Sequence, residues 1–184
     1  MAEEVKKVKK VDIADATSQR LVGLPALVSE DTRLLVLGSF PGVASLGAQQ
    51  YYGHPQNHFW RIVFSLLDPE GAEGYRASYQ IRSEWLLAHG LGLWDVYASC
   101  EREGSLDSRI RKAVVNDFAA LRKRCPRLAA VAHNGAESFR FAPLVQALGV
   151  PVHKLPSTSP ANASWSFERK LAAWRAVFEP YGLI

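Results

Sequence analysis

Arg33-Leu34-Leu35-Val36-Leu37-Gly38 runs directly into Ser39-Phe40-Pro41-Gly42. Four consecutive large aliphatic side chains with no polar alternation form the pattern of a strand buried on both faces. Gly38, Pro41 and Gly42 then make a rigid turn whose backbone can come close to a ligand. A strand buried on both sides requires layers above and below it, and the flanking sequence supplies them.

A long loop is expected from this turn to about Asn57. Phe59, Trp60, Ile62, Val63, Phe64, Leu66 and Leu67 then predict a helix apolar almost all round, hence buried. A second helix, about Tyr75 to His89, carries Trp85, Leu86 and Ala88 and stops at Gly90. Leu91 to Val96 reads as the second strand, and Asn116 as the cap of a helix reaching Arg124 before Pro126. Leu128 to Ala132 is the third strand, Glu137 to Leu148 a helix interrupted or restarted at Pro143, and Val152 to Leu155 the fourth strand. Phe167, Leu171, Trp174 and Phe178 share one face of a last helix ended by Pro180. This alternation predicts an α/β protein, a three-layer α/β/α arrangement around a central, mainly parallel four-stranded sheet. Such sheets bind ligands beyond the carboxyl ends of their strands, so the loops after the strands carry the functional expectation.

The chain has 184 residues, 22 Lys+Arg against 18 Asp+Glu, a formal charge of +4 and 48% hydrophobic residues. That size suits one core, placed over residues 21–184 behind a flexible basic arm, residues 1–20. Lys6, Lys7, Lys9 and Lys10 of the arm fit either a solvated terminus, the favoured reading, or a nonspecific phosphate-binding tail. Cys100 and Cys125 lie outside any CxxC motif, which argues against a disulfide scaffold, a cysteine zinc site or an iron–sulfur cluster. No metal and no cofactor is expected. No apolar run approaches the roughly 18–20 residues of a membrane span, and the N-terminus lacks a signal-peptide core. These features predict a soluble protein of a reducing compartment, the cytoplasm, and a slightly basic one suited to a polyanionic partner.

The four loops hold distinct chemistry. After the first strand, Gln49 to Trp60 combines aromatic faces, which stack on bases, with amides, which pair with base edges; the same residues would also fill a tight loop beside Trp60. After the second strand, Ser105 or Asp107 is expected to cap the next helix. Asn134 ends the third strand beside His133 and faces the cleft, as a bracing or a ligand-binding group. After the fourth, Ser157-Thr158-Ser159 between two prolines makes a phosphate cradle ahead of a helix.

On these residues the chain resembles the uracil-DNA glycosylase superfamily from about Gly23 to Tyr181. Gly38, Pro41, Gly42, Tyr52, Pro55, Asn57, Phe59 and Trp60 reproduce the frame of its mismatch-specific uracil/thymine branch. His133-Asn134-Gly135 is similar to that branch's Phe-Asn-Gly strand end, and Leu155 to Ser159 to the superfamily's serine-proline loop. The resemblance is strongest to the hypoxanthine-DNA (deoxyinosine) glycosylase branch. It rests on five segments: Gly38 to Pro41, Gln50 to Tyr52, Asn57 to Trp60, Leu93 to Val96 and Gly104 to Ser108. Phe40 stands where the mismatch branch has a water-orienting Asn and the classical uracil enzymes an Asp, a substitution the hypoxanthine branch shares.

The resemblance implies a monofunctional DNA-repair glycosylase that flips out a deaminated base, hypoxanthine first, and hydrolyses its glycosidic bond. It implies Asn57 as the group that orients water. Tyr52 would stack on the base, with Ser39, Phe40 and Asn134 at the base edge. Ser157, Thr158 and Ser159 would hold phosphates while the turn Pro160, Ala161 and Asn162 fills the gap in the stack. The matched motifs contain no lysine to form a Schiff base. The partner would be deoxyinosine- or uracil-containing DNA, bound by a monomer. The alternatives are a uracil/thymine mismatch glycosylase and a lesion-binding protein that has lost catalysis.

Overall fold

Leu34, Leu35, Val36 and Leu37 are fully buried, and alternate side chains enter two different cores. A computed structural model describes residues 20–184; the expected basic arm, apart from Arg20, lies outside the described residues. The strands are β1 (Arg20–Val22), β2 (Leu34–Gly38), β3 (Leu91–Asp95), β4 (Tyr97–Glu101), β5 (Arg111–Val115), β6 (Ala130–Asn134) and β7 (Val152–Leu155). The helices are α1 (Val43–Ala48), α2 (Phe59–Leu67), α3 (Tyr79–Ala88), α4 (Leu121–Arg124), α5 (Ala136–Phe139), α6 (Ala142–Gln146) and α7 (Phe167–Phe178). The main sheet has the order β3-β2-β6-β7 and every pairing in it is parallel. Leu34 and Val36 face α2, α3 and α7, whereas Leu35 and Leu37 face α4, α6 and the apolar side of β4.

Helix α2 buries Phe59, Trp60, Ile62, Val63, Phe64 and Leu66, as its nearly all-apolar surface requires. Each such side chain contributes about 1.5–3 kcal/mol on leaving water. In α7, Trp174 and Phe178 are fully buried, and the Trp174 indole donates to Pro156 O at 3.2 Å. One hydrogen bond thereby ties the helix to the loop that follows β7.

Local competition shifts several elements from their expected bounds. The loop after β2 contains α1, whose first amide, Val43 N–H, is capped by Ser105 Oγ at 2.9 Å. Ser105 therefore caps a helix far upstream rather than the next one. The expected helix 75–89 splits into a 3₁₀ turn at Ala72–Arg76 and α3, because extended Ser78 breaks the run and accepts the Ile81 N–H. The third strand lies two residues later than expected, at Ala130–Asn134.

The largest difference is a second, antiparallel sheet of order β1-β4-β5. Asn116 caps no helix; its Nδ2 donates to Asp95 O at 2.8 Å, and only Leu121–Arg124 is α-helical in the segment it was expected to open. The β5 strand is exposed along most of its length and its pairing with β4 shifts register twice, so neither strand shows clean alternation.

Candidate active site

The carboxyl ends of the main-sheet strands bring Asp95, Gly38, Asn134 and Leu155 into a row. With strands about 4.8 Å apart, Asp95 and Asn134 flank Gly38 at roughly 10 Å from each other. A cleft of about 820 Å³ opens over this row and is also lined by the loops after β2, β4, β6 and β7. Gly38 keeps the slot open, for a Cβ there would overlap Asp95 Oδ1 and touch Tyr52 Oη at 3.7 Å.

Tyr52 is held in a left-handed conformation, φ 54°, which is uncommon for an aromatic residue. Its ring stacks on Phe59 with centroids 3.9 Å apart and planes 19° from parallel, and its hydroxyl accepts from Asn134 Nδ2 at 3.1 Å. Burial raises the Tyr52 phenol above its ordinary pKa, so it stays a neutral hydroxyl. The preceding Tyr51 is buried, donates to Pro25 O at 3.0 Å and receives the Trp60 indole N–H on its carbonyl at 3.0 Å. These contacts fix the aromatic wall of the cleft.

Asn134 lies where expected but its side chain is occupied. Nδ2 also donates to Thr158 Oγ1 at 2.9 Å, and Oδ1 accepts from Thr158 N at 2.9 Å. Thr158 is consequently fully buried and turned away from any external phosphate. Ser157 and Ser159 flank it in the cleft wall. Ser157 Oγ accepts from Ser159 N, Ser159 Oγ from Ala161 N, and Asn162 Nδ2 donates to Ser157 O at 3.0 Å. Pro160 and Ala161 are the exposed tip of this braced turn. Gly135, at φ 107°, lets the chain leave β6 tightly against Ser157.

Asn57 stands at the cleft mouth ahead of α2, its Oδ1 accepting from Phe59 N at 3.0 Å. That bond orients the amide. Ser39 Oγ donates to Asp107 Oδ1 at 2.7 Å, and Ser39 O accepts from Tyr97 N at 3.0 Å. Phe40 packs into the core with the Arg102 guanidinium 5.1 Å from its ring centroid, and Arg102 also donates to Pro41 O. His133 is a brace: its Nδ1 lies 2.7 Å from Ser138 Oγ, and with the hydroxyl proton given to Leu37 O the ring nitrogen is the donor of that bond. Burial holds this imidazole down at about 4, hence neutral.

Three groups emerge only from the tertiary structure. Asp95 is 5% exposed, lines the cleft, and its Oδ2 has no hydrogen-bond partner among the described residues. Burial pushes its carboxyl up to about 7, with Asp107 adding to the shift and Arg102 opposing it. Asp107, expected as a helix cap, is instead a cleft carboxyl, raised by burial and held back by the Ser39 hydroxyl and Arg102. Lys154 lines the cleft from β7, with its ammonium 5.6 Å from the Phe139 ring centroid. The one signal for Asp95 in the sequence is a carboxylate set within the otherwise apolar run Leu91 to Val96.

A family model described as the uracil DNA glycosylase superfamily matches residues 25–178. A hypoxanthine DNA glycosylase of Methanosarcina acetivorans is 38% identical over 156 residues, covering 85% of this chain and 96% of that protein. Its counterpart in Methanosarcina barkeri is 37% identical over 157 residues, covering 85% and 97%. A G/U mismatch-specific uracil DNA glycosylase of Schizosaccharomyces pombe is 28% identical over 117 residues, 64% of this chain and 33% of that protein. The solution NMR structure of a Methanosarcina acetivorans protein described as a uracil DNA glycosylase superposes with a TM-score of 0.78 at 37% identity, covering 89% of this chain and 99% of that one.

Proposed function

Because this chain belongs to the uracil DNA glycosylase superfamily, we propose that it is a monofunctional DNA glycosylase that removes hypoxanthine from deoxyinosine. The observation that carries the reading is the slot between Asp95 and Asn134, walled by Tyr52 and held open by Gly38. A duplex hides the glycosidic bond, so the nucleotide is rotated out into this slot. Unstacking costs a few kcal/mol and least at a weakly paired base, which favours lesions.

Ser157 and Ser159 hold the flanking phosphates, and the exposed Pro160–Ala161 tip, braced by Asn162, fills the vacated stack. Tyr52, backed by Phe59, stacks on the extruded base. Asn134 acts through Tyr52 and Thr158, whose positions its three hydrogen bonds set, while the turn at Ser39 and Phe40 borders the base edge. Phe40 is packed beneath Arg102, so the first turn supplies no polar side chain at that position. Asn57 takes the role of positioning water against C1′ as the sugar becomes oxocarbenium-like; its amide orients rather than deprotonates. The basic balance of the chain suits the DNA polyanion. We further propose that it works as a monomer in a reducing compartment; no helix among the described residues is long and apolar enough to cross a membrane.

The test is release of free base from duplexes carrying inosine, uracil or a G·T mismatch, with wild type and Asn57→Ala. Hypoxanthine release is expected in wild type and its near-complete loss in the variant, with DNA binding retained. Release of uracil or thymine alone would replace this reading with the mismatch-glycosylase one. Lesion-selective binding without release of any base would make the protein a binder. Because Lys154 lines the cleft, borohydride is added during turnover; a trapped covalent complex would overturn monofunctional hydrolysis.

A further inference from the structure

Asp95 closes β3 with a carboxyl buried at the cleft wall, and its Oδ2 has no hydrogen-bonding partner among the described residues. An unpartnered buried carboxylate costs several kcal/mol, and native structures rarely retain one without a use. Its backbone is fully employed, since its carbonyl accepts from Asn116 and its strand pairs with β2 in register with Gly38. The side chain supports nothing. Gly38 has instead given up its own side chain where a Cβ would overlap Asp95 Oδ1. The charged and titratable groups around it are Arg102 and Asp107 from the segment after β4, and Tyr51 and Tyr52 from the loop before α2. Among the described residues Arg102 forms no ion pair and its buried Nε and Nη1 have no partner, and its charge favours the ionised carboxyl.

Resting on the hypoxanthine reading, we propose that Asp95 is the general acid of the reaction, donating its proton to N7 of the purine as the base departs. The C1′–N9 electron pair moves onto the base while the Asp95 proton is transferred to N7. The products of that step are a neutral N7-protonated hypoxanthine, a carboxylate and an oxocarbenium-like sugar. Water held at Asn57 adds to C1′, and the proton it releases restores the Asp95 carboxyl through solvent, so the sum is deoxyinosine DNA plus water giving hypoxanthine and an abasic site. Arg102 stabilises the transient carboxylate, and burial holds the resting group in its acid form below about pH 7. Uracil has no N7, so this step distinguishes purine from pyrimidine lesions within one cleft.

The experiment is single-turnover release of hypoxanthine and of uracil from pH 5 to 9, with wild type and the isosteric Asp95→Asn. Wild-type hypoxanthine release is expected to fall tenfold per pH unit above about 7. The variant should be roughly 100- to 10,000-fold slower at pH 6 with that falling limb gone. The variant's loss on uracil should be at least tenfold smaller than its loss on hypoxanthine. Both proteins should bind equally, within threefold, to a duplex carrying 7-deaza-2′-deoxyinosine, which has a C–H in place of N7; that measurement also shows the variant folded. A variant within threefold of wild type on hypoxanthine, one that keeps the wild-type pH limb, or one that loses uracil release by the same factor overturns the assignment. Failure of wild type to release hypoxanthine at any pH overturns the functional reading on which it rests.

Discussion

Two clefts share a wall in this protein and differ in the sign of their charge. The first, over the strand ends, contains Asp95, Asp107 and Glu137 and a single lysine, Lys154. The second, about 700 Å³, lies between the start of α2 and the segment leading into α7; among the described residues it is lined by Arg61, Arg76, Arg82 and Lys170 and by no carboxylate. Tyr52, Asn57, Pro160, Asn162 and Trp165 border both. Aromatic rings pre-orient two of the cations, with Arg61 4.0 Å from the Phe167 ring centroid and Arg82 4.7 Å from that of Trp60. Lys170 is buried, with its ammonium 3.5 Å from Ser159 O, and burial lowers its pKa; the buried His58 Nδ1 and Arg82 Nε have no partner among the described residues.

The difference separates two physical tasks. A phosphate backbone is attracted by fixed positive charge, whereas a departing base needs a group that can hold and give a proton. A cation within hydrogen-bonding reach of Asp95 would drive it to ionise, and a carboxylate inside the second cleft would repel phosphate. Placing the two tasks on opposite sides of Tyr52 and Asn57 lets each keep its own field.

The largest expected effect concerns the stability cost of keeping Asp95 protonatable. A carboxyl whose folded pKa lies above its unfolded value leaves the protein fully stable below the unfolded pKa, and stability falls as pH rises towards the folded one. Between pH 4 and about 7, wild type should therefore lose stability relative to Asp95→Asn by up to roughly 4 kcal/mol, at 1.36 kcal/mol per pKa unit, and the gap should then level off. Urea unfolding of both proteins across that range measures it; a pH-independent gap would mean that Asp95 ionises freely in the folded state.

Gly38→Ala probes the same cleft by shape. The overlap with Asp95 Oδ1 should displace the carboxyl and close the slot, lowering hypoxanthine release about 100-fold while the salt dependence of DNA binding stays as in wild type. Equal release by both proteins would show that the base does not approach the row of strand ends.

Arg82→Gln addresses the second cleft and should have the smallest effect. Duplex binding should weaken about tenfold at moderate salt, and the slope of log affinity against log salt should fall by about one, with single-turnover release at saturation unchanged. Loss of release at saturation, with binding intact, would merge the two clefts into one functional unit.

How much of this was legible in the sequence depended on whether a feature needed neighbours near in the chain. The bounds of the helix at Phe59–Leu67 are legible in the sequence because burial on nearly all sides leaves an almost unbroken apolar run, and Val152–Leu155 is legible as the short segment between Pro151 and Pro156. The antiparallel sheet is not legible in the sequence, because exposed β5 and the register shifts against β4 erase the alternation that would mark it. Among the expected site residues, Asn57, Tyr52 and Asn134 line one cleft, but Thr158 is turned inward by its paired hydrogen bonds to Asn134. No local pattern distinguishes the inward hydroxyl from the serines beside it.

The sequence by itself determined a four-stranded, mainly parallel sheet, the alternation of its strands with helices along the chain, and the loops that meet at its carboxyl edge, because hydrophobic periodicity is a local record of burial. Only the tertiary structure decided which polar groups those loops leave free. Asp95 Oδ2 has no hydrogen-bond partner among the described residues, and burial, with Asp107 adding to the shift and Arg102 opposing it, raises the carboxyl. A side chain's proton affinity is set by the field and the solvent it finds after folding, and neither is written in its own neighbourhood of sequence.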